Sequence, residues 1–248
     1  MLDLACSGGV PCVLLTSGSI DIAEHGVLAR CDFEPALWLP DGTTVFVPAH
    51  SRHLGKSAGR RLHTADQAGR WLGHPGYVIA LIDPTDLRLQ TSPTVQLLIQ
   101  AADFGARLFL ATPRLLRVPR PLRWLSSLTL QNHSPHADEA CIRGLLTLTG
   151  DRCLPNYGFK DVVELFGHGA TVAVGFDFDT EIQAAIRGAV GQIDDGGEEA
   201  AQMLVIEAPE CLDWNTVVEA TGTFDGPCVL SETGTHTITK VTCLRQLS

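Results

Sequence analysis

Residues 77–111 constrain the fold of this chain more than any other stretch. Tyr77 to Ile82 (YVIALI) is an apolar run of strand length, broken by Asp83-Pro84-Thr85-Asp86. From Thr94 to Phe104 the apolar residues Val95, Leu98, Ile99 and Ala102 recur at spacings of three and four, which describes a helix with one apolar face, and Gly105 closes it. Leu108 to Ala111 is the next strand. Strand, loop, helix, strand implies a right-handed parallel crossover, the building block of a doubly wound sheet. The chain is therefore expected to be α/β.

The remaining elements fit that class. Pro11 to Thr16 is a buried-strand run, followed by Ser17-Gly18-Ser19 and a helical pattern from Ile20 to Ala29. Ala36 to Leu39 and Thr43 to Val47 flank Pro40-Asp41-Gly42, which reads as a hairpin turn. Ser51 to Gly59 is a basic loop, Thr64 to Leu72 a helix, and Leu122 to Leu130 a strand-like segment. Beyond Gly175 the pattern gives a helix over 180–190, a strand over 203–206, a helix over 212–224 and strands at 228–230 and 238–244. Those last two strands, separated by a Gly-Thr turn, read as a final hairpin.

Composition narrows the function classes. With 248 residues, 45% hydrophobic and 19% charged, the chain can bury a sizeable core and is not a disordered polymer. Its net charge of −10 argues against general nucleic-acid or anionic-membrane binding. Arg107 to Arg123, with five arginines and no acid, is the local exception, either a solvated basic stretch or a phosphate site. The eight cysteines show no C-x-x-C spacing, so reduced, partly buried thiols are expected rather than disulfides or zinc. No run reaches the length of a membrane span and no leader pattern opens the chain, so a soluble, cytoplasmic protein is expected. Motifs such as G-x-S-x-G, H-E-x-x-H and G-x-x-x-x-G-K-[ST] are absent. His50 and His53 share a loop and His133 and His136 flank a helix start, but no third ligand stands near, so no metal site is expected.

The middle of the chain, Ser134 to Gly175, carries the most specific pattern. Ala137, Cys141, Leu145 and Leu148 line one face of a helix whose start is marked by Ser134, Pro135 and Asp138. Gly150-Asp151 and Pro155 stop it. A polar elbow over 156–161 then leads to a second helix from about Tyr157-Gly158 and to the strand Ala170–Gly175. With Ala137-Asp138-Glu139 opening the helix and Asn156-x-Gly158-x-x-Asp161 at the elbow, this layout resembles the tubulin/FtsZ superfamily, from roughly Cys12 to the C-terminus.

The resemblance implies a doubly wound parallel sheet of tubulin/FtsZ GTPase-domain type, joined by a central helix to a smaller α+β domain. The corresponding divisions are 1–134 for a nucleotide-binding-like domain, 135–155 for the central helix and elbow, and 156–248 for the C-terminal domain. In the family the elbow, of pattern N-x-D-x-x-[DE], reaches the nucleotide of the next subunit and triggers hydrolysis. Asn156 and Asp161 would be the catalytic positions here, and Gly158 stands where the first acid belongs. Nucleotide contacts would fall to Ser17, Gly18 and Ser19 after the first strand, to Thr85, Thr91 and Ser92 in the second loop, and to Asp138, which would face a guanine.

The second loop departs most from the family. Where the superfamily has G-G-G-T-G-[ST]-G, residues 83–92 read DPTDLRLQTS, with no glycine and two acids. Glycine lets backbone approach a phosphate closely, and carboxylates repel one. Leu87 and Leu89 could fill the vacated space. The chain is thus expected to be a non-hydrolysing assembly or scaffold protein without a cofactor. It would associate with itself, head to tail, or with a protein partner. The alternative is a polymerising GTPase that binds GTP or GDP with Mg²⁺ through atypical loops. The last strand ends close to the C-terminus, so the long tail by which FtsZ proteins recruit membrane partners is not expected.

Overall fold

The computed structural model describes residues 12–16, 33–48, 77–81, 92–112, 120–134, 153–154, 157–193, 200–209, 213–232 and 237–247. In chain order their elements are β1 (Cys12–Thr16), β2 (Phe33–Trp38), β3 (Thr44–Pro48), β4 (Tyr77–Leu81), α1 (Pro93–Asp103), β5 (Arg107–Thr112), α2 (Arg120–Leu125) and β6 (Ser126–Asn132). There follow β7 (Cys153–Leu154), α3 (Phe159–Phe166), β8 (Ala170–Asp179), α4 (Ile182–Gly191), β9 (Gln202–Ala208), α5 (Trp214–Thr221), β10 (Cys228–Glu232) and β11 (Thr239–Gln246). The expected helices over 20–29, 64–72 and 135–150 lie outside the described residues.

All eleven described strands form one sheet, in the order β2-β3-β1-β4-β5-β6-β8-β11-β9-β10-β7. The expected β4–α1–β5 crossover is present: β4 and β5 pair in parallel from Tyr77↔Arg107 to Leu81↔Ala111. Parallel pairing continues on both sides, β1 with β4 and β5 with β6. β6 pairs in parallel with β8 from Leu128↔Ala170 to Asn132↔Val174. The expected β2–β3 hairpin around Pro40-Asp41-Gly42 forms the antiparallel edge. Gly42 has φ 86°, a left-handed conformation that favours glycine.

Helices cover both faces, as a doubly wound sheet requires. On one face Phe159, Val162 and Phe166 of α3 pack with Phe109, Leu128, Val172 and Val174. On the other, Val95, Leu98 and Ala101 of α1 and Leu122 of α2 pack on Val78, Ala80, Leu108 and Leu110. Further along, Ala185, Ile186 and Ala189 of α4 and Val217 of α5 cover Ala173, Leu204 and Val241. The approach of α4 to β8 is close enough that a Cβ on Gly175 would lie 2.0 Å from the carbonyl oxygen of Ala189.

Two local expectations are corrected. Leu122 to Leu130 is not one strand: residues 120–125 are helical and the strand begins at Ser126, whose hydroxyl donates to the Arg123 carbonyl at 2.8 Å. The final hairpin does not form either. β10 pairs in parallel with β9, through the α5 crossover, and antiparallel with β7. β11 inserts between β8 and β9, antiparallel to both. The α5 crossover carries β10 to the outer side of β9, which leaves the inner side for β11.

Candidate functional site

The parallel register sets the place where a site can be built. Thr16 pairs with Leu81, Leu81 with Ala111, and Thr112 with Gln131, so β1, β4, β5 and β6 all end at the same edge of the sheet. β2 and β3 lie on one side of β1, while β4 and everything after it lie on the other. That reversal beside β1 is the topological switch point at which open α/β sheets hold ligands. The segments beginning at residues 17, 82 and 133 leave from this edge, and the sequence-derived contacts Ser17, Gly18, Ser19, Thr85, Thr91 and Asp138 belong to them. Those six residues, together with Asn156, Leu87, Leu89, His50, His53 and His136, lie outside the described residues.

The β2–β3 turn is at the same edge, because Thr44 at the start of β3 pairs with Thr16 at the end of β1. Two backbone bonds close that turn, Leu39 N–H to the Thr43 carbonyl at 2.8 Å and Gly42 N–H to the Leu39 carbonyl at 3.0 Å. At its tip the carboxylate of Asp41 reaches the first residues of α1. Its Oδ2 accepts from the Ser92 hydroxyl at 2.7 Å, the Thr94 hydroxyl at 2.8 Å and the Thr94 N–H at 3.1 Å. Its Oδ1 accepts from the N–H of Thr43 at 3.2 Å. The Thr94 hydroxyl gives its proton to Asp41, so in its contact with the Thr43 hydroxyl it accepts.

The local sequence explains why α1 needs an outside acceptor. It begins Ser92-Pro93-Thr94, has no acid in its first turn, and its N-cap Ser92 makes no side-chain capping bond of its own. The exposed N–H groups and positive end of the helix dipole are stabilised by an anion. Asp41 supplies it. Partial burial alone would raise the carboxyl pKa, but the hydrogen bonds from Ser92, Thr94 and Thr43 outweigh it and hold Asp41 below the ordinary carboxylate value. Ser92, expected as a nucleotide contact, is buried and directs its hydroxyl to Asp41.

Asp161 is likewise engaged within the chain. Its Oδ2 accepts the N–H of Gly158 at 2.8 Å, and the Asp161 N–H donates to the Gly158 carbonyl at 3.1 Å. This is the acidic half of a capping box on α3. Gly158 has no side chain with which to reciprocate. α3 is fixed from below by its first residue, whose ring centroid lies 4.9 Å from that of Phe109 in β5. Ser92 and Asp161 thus have separate sets of partners.

At the end of β6, Asn132 folds the chain back on itself: its Nδ2 donates to the Ser134 carbonyl at 2.9 Å and its Oδ1 accepts the Ser134 N–H at 3.0 Å. Ser134 then donates its hydroxyl to the Phe176 carbonyl at 3.0 Å, tying the start of the segment that contains Asp138 to β8. Phe176 is also held by the Gln192 amide, which accepts its N–H and donates to its carbonyl, both at 2.9 Å.

Among the described residues no three His, Cys, Asp or Glu side chains cluster as a metal site requires, and no helix is long and apolar enough to cross a membrane. Cys228 and Cys243 are free thiols, and burial pushes the Cys243 thiol up to about 12. The sequence reading missed Asp41, Thr43 and Thr94. The signal that points to them is a helix start without an acid of its own, beside a turn that offers one.

No protein-family model matches the sequence, and no curated protein matches it. Solved structures do. A point mutant of FtsZ from M. jannaschii superposes with a TM-score of 0.56 at 14% identity, over 78% of this chain and 71% of that one. The empty FtsZ dimer from M. jannaschii gives 0.55 at 13% identity, over 78% and 69%. Sequence identity at this level carries the architecture and not the activity. The chain has the fold of FtsZ.

Proposed function

We propose that this chain is an FtsZ-fold protein with a degenerate nucleotide site, and that it works as a non-hydrolysing assembly protein, associating with itself or with a protein partner. One observation carries the reading: the start of α1, which follows the loop where the superfamily cradles phosphate, is occupied by the chain's own carboxylate, Asp41. A γ- or β-phosphate at this helix end would meet a negative charge whose four hydrogen-bond donors are already engaged. The glycine-free sequence of residues 83–92 and the absence of an acid at Gly158 point the same way. Asp161 caps α3 in this reading instead of activating water.

A second reading, a polymerising GTPase that takes GTP or GDP with Mg²⁺, is favoured by the alignment of β1, β4, β5 and β6 at one switch point. Nucleotide turnover measured beside sedimentation separates the two. The assembly reading expects phosphate release at the no-enzyme background and association that GTP does not change. Turnover or GTP-dependent sedimentation that is lost in D161A would overturn it in favour of the GTPase.

A further inference from the structure

We infer that two exposed patches of opposite charge on this chain form a contact between copies of it, with the aromatic Trp124 patch of one copy seated on the Trp214 patch of another. The inference rests on the assembly reading above and assigns it an interface.

The first patch lies where β5 and β6 begin. Leu108 pairs with Ser126, so the turn from α1 into β5 and the end of α2 are neighbours at that edge. Trp124 is 74% exposed there and Phe104 48%. Arg107 and Arg123 are exposed beside them, with Asp103 the acid nearest in sequence. The second patch is the outer face of α5. Val217 points inward, and Trp214 and Val218, one turn apart, are 55% and 51% exposed. Asp213 and Glu219 are exposed on either side of them. A tryptophan at the centre of a charged rim has the composition of an interaction hot spot in both cases.

Charge identifies the occupant. Residues 1–134 hold twelve Lys and Arg against ten Asp and Glu, a net +2, whereas residues 135–248 hold six against eighteen, a net −12. The exposed arginines therefore sit on a part of the chain that the acidic part of a second copy would attract, and like patches of two copies would repel. Exposed tryptophans of this size are removed from water by the contact, which adds an apolar contribution that salt does not screen.

Sedimentation velocity on the full chain, at low and high salt, tests the inference. Wild type is expected to associate at low salt and to weaken as salt rises, and W124A or W214A to weaken association about tenfold or more. R123E is expected to abolish it at low salt, and R123E mixed with a D213K/E219K chain to restore it. Circular dichroism checks that each variant stays folded. Association that survives W124A, W214A and R123E unchanged overturns this interface while leaving the assembly reading standing. A wild-type chain that remains monomeric at all concentrations overturns both the interface and self-association. Loss in W124A of binding to anionic phosphatidylglycerol vesicles, without any effect on self-association, reassigns the first patch to a lipid surface.

Discussion

Asp41 and Thr94 are joined by two hydrogen bonds to one carboxylate oxygen, at 3.1 Å from the Thr94 N–H and 2.8 Å from its hydroxyl, across 53 positions of chain. The pair binds the hairpin edge of the sheet to the first turn of the helix that follows β4. It also places a carboxylate at the edge where β1 and β4 end.

The first expectation concerns stability. Removing the carboxylate in D41A leaves the hydroxyls of Ser92 and Thr94, both buried, and the N–H of Thr94 without their acceptor. Loss of a helix cap together with charge-assisted bonds costs about 2 kcal/mol. Urea unfolding is expected to show this for D41A and a smaller loss for D41N, which keeps an acceptor oxygen.

The same contact sets a pH dependence. Asp41 is held below the ordinary carboxylate pKa by its hydrogen bonds, so folding favours the ionised form. Its contribution is complete above the unfolded value of about 3.9 and is lost as pH falls through the lower folded value. Asp179 is shifted the same way, by the Glu181 N–H foremost, and adds to the acid limb. Midpoints of urea unfolding below about pH 4 are expected to fall more steeply for wild type than for D41N.

Asp161 separates a capping role from a catalytic one. D161A removes the bond to the Gly158 N–H and is expected to cost about 1 kcal/mol in thermal unfolding. Under the assembly account, phosphate release stays at the no-enzyme background in both proteins. Asp161 as an activating acid would instead give wild-type turnover that the variant loses.

The glycines between α4 and β8 give a packing contrast. A Cβ at Gly175 would meet the backbone carbonyl of Ala189 at 2.0 Å, whereas a Cβ at Gly188 would meet the Asp177 carboxylate at 1.6 Å. Backbone of α4 can yield only by moving the helix, so G175A is expected to cost about 3 kcal/mol. The half-buried Asp177 side chain can rotate away, at the loss of its 2.9 Å bond from the Phe178 N–H. Alanine also suits a helix better than glycine by about 1 kcal/mol. G188A is therefore expected to change the melting temperature much less than G175A.

Much of the fold was legible locally. The run YVIALI, the three-and-four spacing of Val95, Leu98, Ile99 and Ala102, and the Pro40-Asp41-Gly42 turn each determine an element through interactions within a few residues. The insertion of β11 between β8 and β9 was not legible, since Val241 meets Asp177 on one side and Ile206 on the other and neither is near in sequence. The helix 120–125 escaped because Leu122, Trp124 and Leu125 suit a strand as well as one short turn. Asp41 was visible only as a turn residue. Its second role depends on a helix start 53 positions away, which parallel pairing of β1 with β4 brings to the same edge.

The most direct test of the account is isothermal titration calorimetry of the full chain with GTP and Mg²⁺. The expected result is no saturable heat from a folded sample, as befits a helix end already filled by Asp41. Saturable GTP binding, with release on competition by GDP, would contradict the account and place a nucleotide at the switch point.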